Sequence, residues 1–452
     1  MHQPRILVVG GLAAGPSAAS KAKRVNPNAE VILIEQTNYI SYGICEIPYY
    51  LTGEYKDKGD LVIYSPDRLQ KKKNVTVWIQ SRVESVNRRN KTVQIKDLKA
   101  GVRRTEEYDK LIIATGSTPR TLPFMNERQN NVFTVKELGR AYALNEFIKN
   151  NKPKKAVIVG AGYIGLEMAE ALRHLDIDVT LIHRHRYPLS KTDEKSGELI
   201  VSELEKNGVH YVPEATVQSF GRDTNEMERT VVTGDGVFDA DLVIVAIGVE
   251  PNVSLAKDAG IETGSLGGIK TDEKQRTNDD AVYAAGDCCE VKNVISRRPA
   301  YIPLATVASK MAWTAGENAA GGSSTFKGAL RNIALRVFDY EVVRVGLSET
   351  EASDAGFKTV IESIEAPSRV MGMPGAARLT VTYIAEKQSG KLVGATLLGK
   401  DGAAQRGNIL AAMIQMGATM QEISNLDLMY APPFSPLWDP VLVAANQTLK
   451  KL

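Results

Sequence analysis

Cys45 stands in the segment ISYGICEIPYY, Ile40 to Tyr50, among glycine, proline and three tyrosines and directly before Glu46. A stretch of this kind reads as a loop rather than an amphipathic element, so the thiol has no packing face to serve. As a thiolate, cysteine is a nucleophile and can pass through disulfide, persulfide or sulfenic acid states. The other two cysteines, Cys288 and Cys289, are neighbours in AAGDCCE and read as packing residues.

A second constellation is built from glycines. Gly160-x-Gly162-x-x-Gly165 follows the apolar run Lys155–Val159 and opens a helical pattern. The first glycine makes a tight turn, the second admits a pyrophosphate and the third packs helix on strand. The helix N-terminus then faces the phosphates. A looser copy, GGLAAG, has Gly10 and Gly15 at the outer positions and Leu12 in the middle. The strand after it ends at Glu35, where an acid bonds a ribose hydroxyl. The strand after the later turn ends instead in IHRHR, Ile182 to Arg186. His183, Arg184, His185 and Arg186 put cations where the acid would be, which suits the extra phosphate of NADPH. Gly165 leans toward NADH, because that position is often alanine when NADP is bound. Asp287 follows the strand-like VYAAG; an acid there caps a helix or, in a flavin fold, bonds the ribityl chain.

These groups need elements to hold them. Two strand–glycine turn–helix–strand units start about 150 residues apart. Between and after them come LIIATG (Leu111–Gly116), LVIVAIG (Leu242–Gly248) and VYAAGD (Val282–Asp287). After the small, polar AAGGSS (Ala319–Ser324) the pattern changes to alternating strands and then Ala/Met-rich helices. This predicts an α/β protein with two Rossmann-like dinucleotide-binding domains and a C-terminal α+β dimerisation domain. The expected boundaries are 1–120 with 249–322 for FAD, 121–248 for NAD(P)H and 323–452 for the interface.

The chain of 452 residues is 43% hydrophobic and 24% charged, enough for several cores. A net charge of +3 with interspersed signs gives no field for nucleic acid or membrane. Three cysteines point to a reducing, cytoplasmic setting. No apolar run has the roughly 18–20 residues that span a bilayer, and RILVVGG begins too early for a signal peptide.

With SYGICEIPYY, YDKLIIATGSTPR, GAGYIGLE, AIGVEPN, TNDDAVYAAGDC, YIPLATVASKMAWTAGENAAGG and DLMYAPPFSPLWDP, the chain resembles the flavoprotein pyridine nucleotide–disulfide reductases. The similarity is to their single-cysteine branch: coenzyme A-disulfide reductases, persulfide or polysulfide reductases and NADH oxidases. It implies cofactor contacts at Gly10, Ala14, Gly15, Glu35, Ala114, Thr115, Gly116, Gly160, Gly162, Tyr163, Gly165, His183, Arg184, Arg186, Gly248, Gly286, Asp287, Pro303, Leu304 and Ala305. Cys45 matches the redox thiol. Tyr50 stands where the wider superfamily has a second cysteine, so the thiol must cycle against an outside partner, with a lowered pKa. The usual C-terminal His-Glu pair is absent. Tyr430 matches a tyrosine that reaches the thiol from the other subunit of a homodimer. Lys21, Arg24, Ser41 and Tyr42 match positions that contact the nucleotide or pantetheine of CoA.

Three positions depart from the branch. Glu46 replaces a small residue and either raises the thiol pKa or relays a proton. Ile44 replaces an asparagine, and Met373 stands where a second active-site tyrosine is expected. No rhodanese-like extension follows, so sulfur transfer would rely on Cys45. The expected reaction is NADPH-dependent reduction of a low-molecular-weight disulfide or persulfide. The alternatives are an NAD(P)H oxidase or peroxidase with a Cys45 sulfenic acid, and an electron-transfer subunit of a larger complex.

Overall fold

The structure, a computed structural model, describes residues 3–126, 129–222 and 227–452. Its first sheet is parallel, in the order Val282–Ala284, Lys110–Ile113, Arg5–Val9, Glu30–Ile34, Thr76–Trp78. Strands covered on both faces must be apolar along their length. Ile6, Leu7, Val8, Ile32, Leu33 and Ile34 are accordingly almost fully buried. The second sheet repeats the plan in the order Val209–Val212, Asp178–Ile182, Lys155–Val159, Leu242–Val245, Val132–Phe133. The expected α/β class with two dinucleotide-type sheets is therefore what the chain forms.

The helix Ala14–Val25 lies on the first sheet and meets the helix Ala305–Ala319 through small residues. A Cβ on Gly316 would lie 2.2 Å from the Ala18 carbonyl oxygen, so only glycine permits this approach. The approach sets two helix N-termini beside the same sheet edge.

The third sheet is antiparallel, in the order Ile333–Val337, Tyr340–Gly346, Leu392–Gly399, Arg378–Glu386, Thr359–Pro367. The helices Ala403–Met416 and Pro440–Leu449 pack on it. Among the described residues no helix is long and apolar enough to cross a membrane.

A buried ion pair pins the C-terminal unit. Arg406 Nη2 lies 2.8 Å from Asp439 Oδ2, and both side chains are less than a tenth exposed. The guanidinium also donates to the Ser368 carbonyl at 2.8 Å, while Asp439 accepts from Ser435 Oγ at 2.8 Å and from the Val441 amide at 2.9 Å. The Val370 amide donates to the Pro432 carbonyl at 3.3 Å, tying the Met373 loop to the segment after Tyr430. Arg406→Met leaves Asp439 buried without its countercharge, at a cost of about 3–5 kcal/mol. The variant should melt at lower temperature and lose amide protection across 431–439 first. Unchanged hydrogen exchange in that segment would show that the pair does not anchor it.

Candidate active site

The parallel strands end together, so Gly10, Glu35, Ala114 and Gly286 gather at one edge of the first sheet. A Cβ on Gly10, whose φ is +111°, would lie 2.1 Å from the Ala114 carbonyl oxygen. A Cβ on Gly15 would lie 1.7 Å from the Gly10 carbonyl oxygen. The later turn repeats this closeness: Gly165 meets the Gly160 carbonyl oxygen at 1.9 Å, and Gly162 faces open space. The helices Ala14–Val25, Tyr163–His174 and Ala305–Ala319 all start without a side-chain cap. Their first amides are free for phosphate oxygens. Glu35 is held by the Gly11 amide at 2.6 Å and the Thr37 amide at 2.7 Å. Asp287 Oδ2 accepts from Ser117 Oγ at 3.0 Å and lies 3.4 Å from Lys136 Nζ. Uncapped helix starts, bare glycine turns and an oriented acid fit a flavin dinucleotide at the first sheet and a nicotinamide dinucleotide at the second.

Cys45 stands just before the short helix Ile47–Leu51, which buries Ile47, Tyr50 and Leu51. Tyr50 is locked in the core: its hydroxyl accepts from Asn145 Nδ2 at 2.9 Å, and its ring meets Tyr142 edge-on. The Cys45 side is exposed outward in the single chain. On its inner side protein desolvates the sulfur and pushes the thiol pKa up, and the charges of Glu167, Glu46 and Asp287 push the same way. Lys136 alone opposes them. The expected depression of the thiol pKa is thus reversed in the single chain, first by desolvation and then by the surrounding carboxylates. Glu167, flanked by Glu170, is itself pushed up to about 7, first by burial. Glu46 is raised by burial and folds over Gly43, where a Cβ would lie 2.2 Å from its carboxyl.

Lys21, Arg24 and Ser41 line one recess of about 170 Å³, with Tyr64 and Trp313. The Lys21 ammonium and the Arg24 guanidinium lie 5.5 and 5.7 Å from the Trp313 ring centre. Lys21 also pairs with Glu317 at 2.8 Å. Tyr42 is not among the lining residues: it packs against the core of the second sheet, where burial pushes its hydroxyl up to about 12. Arg184 and Arg186 are exposed, but His183 is buried. Burial, with the charges of His185 and Arg184, pushes its pKa down to about 4. The expectation of a cationic His183 is therefore corrected: the ring is neutral. Tyr430 is half exposed in a strip with Met429, Phe434, Leu437 and Trp438.

Four residues of this region escaped the sequence reading. Glu167 lies within GAGYIGLE, two positions after Gly165, and that motif was its only signal. Ser117 lies within YDKLIIATGSTPR and Trp313 within YIPLATVASKMAWTAGENAAGG, whereas Lys136 belongs to no motif and only the fold brings it in.

Residues 4–312 match the family described as pyridine nucleotide-disulphide oxidoreductase, and residues 334–440 match its dimerisation domain. An NAD(P)H sulfur oxidoreductase (CoA-dependent) of Pyrococcus furiosus is 35% identical over 447 residues, covering 99% of each chain. A coenzyme A disulfide reductase of Staphylococcus epidermidis is 31% identical over 432 residues, covering 95% of this chain and 96% of the relative. The structure of a NAD-dependent persulfide reductase from A. fulgidus superposes with a TM-score of 0.95 at 33% identity, covering 99% of this chain and 83% of that one.

The carboxylates around Cys45 make a direct prediction. Glu167→Gln removes the nearest-acting negative charge and lowers the thiol pKa, so iodoacetamide should alkylate Cys45 several-fold faster at pH 8, where Glu167 is ionised. At pH 6, where Glu167 is already protonated, the two proteins should react alike. Peptide mass spectrometry separates Cys45 from the buried Cys288 and Cys289. Equal rates at pH 8 would remove Glu167 from the thiol's surroundings.

Proposed function

The chain belongs to the pyridine nucleotide-disulphide oxidoreductase family, and from that membership we propose that it is an FAD enzyme using NADPH to reduce a low-molecular-weight disulfide or persulfide at Cys45, with coenzyme A disulfide or CoA persulfide as substrate. The observation that carries this is Cys45 as a lone thiol, with Tyr50 locked in the core and a basic recess reached through Ser41, four residues away. No internal disulfide can store the electrons at that spacing, so the sulfur must exchange with a partner from outside. The recess pairs cations with an aromatic face, the combination that takes an adenine nucleotide carrying phosphates. The names of the similar proteins agree with that substrate class.

Residues 1–120 with 249–322 form the unit around the first sheet, 121–248 the coenzyme unit and 323–452 the interface unit. FAD held at the first sheet would supply hydride acceptance from NADPH and two-electron delivery to the sulfur. Gly10, Ala14, Gly15, Ala114, Thr115, Gly116, Gly248, Gly286, Pro303, Leu304 and Ala305 leave room for the dinucleotide or present backbone amides to it. Glu35 and Asp287 accept from its hydroxyls. At the second sheet Gly160, Gly162, Tyr163 and Gly165 hold the pyrophosphate, with Arg184 and Arg186 at the ribose end. Cys45 Sγ attacks one sulfur of the substrate, the substrate S–S bond breaks, and a mixed disulfide forms. The departing thiolate takes a proton from the Tyr430 hydroxyl of a second copy. Two electrons and a second proton then release the other thiol and restore Cys45. Glu46, pushed up by burial, stands beside the sulfur as a second proton source.

A homodimer explains the apolar strip. Met429, Phe434, Leu437 and Trp438 are 95, 79, 70 and 62% exposed in the single chain. A contiguous patch of this kind marks an interaction surface.

Cys45→Ser should bind FAD normally yet lose turnover with coenzyme A disulfide, because the flavin contacts lie elsewhere. Undiminished reduction by the FAD-loaded variant would sink the thiol mechanism. Tyr430→Phe should slow reoxidation by the disulfide roughly 100-fold, at the low end of the range of general acid catalysis, while flavin reduction by NADPH stays unchanged. Stopped-flow separates the two half-reactions; a wild-type reoxidation rate would remove Tyr430 from the proton path.

A further inference from the structure

One polar joint beside the redox loop ties three parts of the chain together. The hairpin formed by Ile333–Val337 and Tyr340–Gly346 turns at Phe338 and Asp339 and lands on two helices of the second sheet, Tyr163–His174 and Glu194–Lys206. Two almost fully buried carboxylates receive it. The Phe338 amide donates to Glu170 Oε2 at 2.8 Å, and the Asp339 amide donates to Glu203 Oε1 at 3.4 Å. Phe338 is held at a φ of +51°, a left-handed conformation that an aromatic residue keeps only where its surroundings enforce it.

Arg336 completes the joint. Its Nε donates to Glu170 Oε1 at 3.0 Å. Its Nη2 lies 3.9 Å from Glu54 Oε1, and its guanidinium lies over the Tyr49 ring, 5.6 Å from the centre. Tyr49 belongs to the helix Ile47–Leu51 that follows Cys45, and Glu170 to the helix that starts at the second glycine turn. The apolar side of the joint unites the same three parts, because Leu51, Leu166 and Leu335 share one buried core. Apolar packing is non-directional; a guanidinium bonded to a carboxylate is directional and adds register. The covalent link between the two parallel sheets adds little. The chain crosses from one to the other only in Ser117–Pro119 and Val249–Pro251, two three-residue strands paired with each other. The angle between the sheets is therefore set by contacts away from that crossing.

We propose that Arg336 is a positioning residue for electron delivery to Cys45: by joining Glu170 to Tyr49 it holds the helix of the coenzyme turn and the helix of the redox thiol in one register. This rests on the reading that the second glycine turn holds a nicotinamide coenzyme and that Cys45 is the reacting thiol. Gly160 to Gly165, Arg184 and Arg186 all belong to the second sheet and move with it. Loss of the clasp thus leaves their grip on the coenzyme intact and spoils only where its hydride is presented.

The test compares Glu170→Gln, Arg336→Met and Arg336→Lys in the FAD-loaded protein. Glu170→Gln keeps its shape and an acceptor for the Phe338 amide but removes the charge that Arg336 grips. Hydrogen exchange, measured without coenzyme, should quicken across 46–54 in Glu170→Gln and Arg336→Met. Their dissociation constants for NADP+, from isothermal titration calorimetry, should stay within about threefold of wild type. Flavin reduction at saturating NADPH, followed by stopped flow where every variant is folded, should slow roughly 100-fold, the cost of about 1 Å of misplacement. Arg336→Lys keeps the charge and should recover about tenfold of that loss. A merely structural pair would lower the melting temperature and leave the reduction rate of the folded protein alone. Reduction within fivefold of wild type in both Glu170→Gln and Arg336→Met, or NADP+ affinity falling as far as the rate, overturns the assignment. If NADPH and NADH both fail to reduce wild type, the coenzyme reading fails by itself; faster exchange across 46–54 then still supports the clasp, and unchanged exchange there overturns it.

Discussion

Two contacts that no side chain could occupy set the rest of the molecule. Gly15 lies against the Gly10 carbonyl and Gly165 against the Gly160 carbonyl, so close that a Cβ would stand 1.7 and 1.9 Å from the oxygen. Each contact forces its helix onto the strand before it with the first amides unsatisfied and aimed past the sheet edge. Once that edge is fixed, the residue after the neighbouring strand falls beside the turn's second amide. Glu35 and His183 each accept that amide, one through a carboxylate oxygen and the other through Nδ1.

The second governing term is the charge around Cys45. Burial first, and then Glu167, Glu46 and Asp287, hold the proton on sulfur, while Lys136 acts against them. Lys136 is divided in its work, because its ammonium also donates to Ser117 Oγ at 2.6 Å and lies 3.4 Å from Asp287. Glu167 titrates near 7, so its repulsion grows as pH rises through neutrality. Each step toward the thiolate therefore meets a rising opposing charge, and the two titrations are coupled rather than independent.

The sheets, the turns and the order of the large elements were legible in the sequence because each rests on local pattern. Short, β-branched apolar runs bounded by glycine, such as LIIATG, read as buried strands, and glycine spacing reports close backbone approach at fixed offsets. The electrostatics were not legible. Lys136 lies 91 residues from Cys45, Asp287 lies 242 away, and both distances follow from sequence numbers that carry no proximity. IHRHR shows the same limit: its composition reads as four cations, yet the strand end turns the first of them inward. Burial, which no single-residue property encodes, turns that residue from a charge into a neutral ring. Ser41 lines the recess while its neighbour Tyr42 packs on the core of the second sheet.

The C-terminal unit holds what the proposed proton donor, Tyr430, would require. A general acid works only within hydrogen-bond reach of its target, and Tyr430 belongs to a segment with no regular structure from Leu426 to Pro432. Such a segment does not hold a hydroxyl in place by backbone bonding alone. The Arg406–Asp439 pair lies just beyond it, joined to Ser435, Ser368 and the start of the last helix. A buried ion pair contributes little net stability against an apolar substitute, but it permits only one register of the groups that satisfy it. Here the register it fixes is that of the exposed strip and of the loop carrying Met373. The strip leaves large apolar side chains in water in the single chain, a state that only a covering surface relieves. Anchoring on one side and covering on the other are the two constraints that give a half-exposed tyrosine a defined position, and neither comes from the residues next to it.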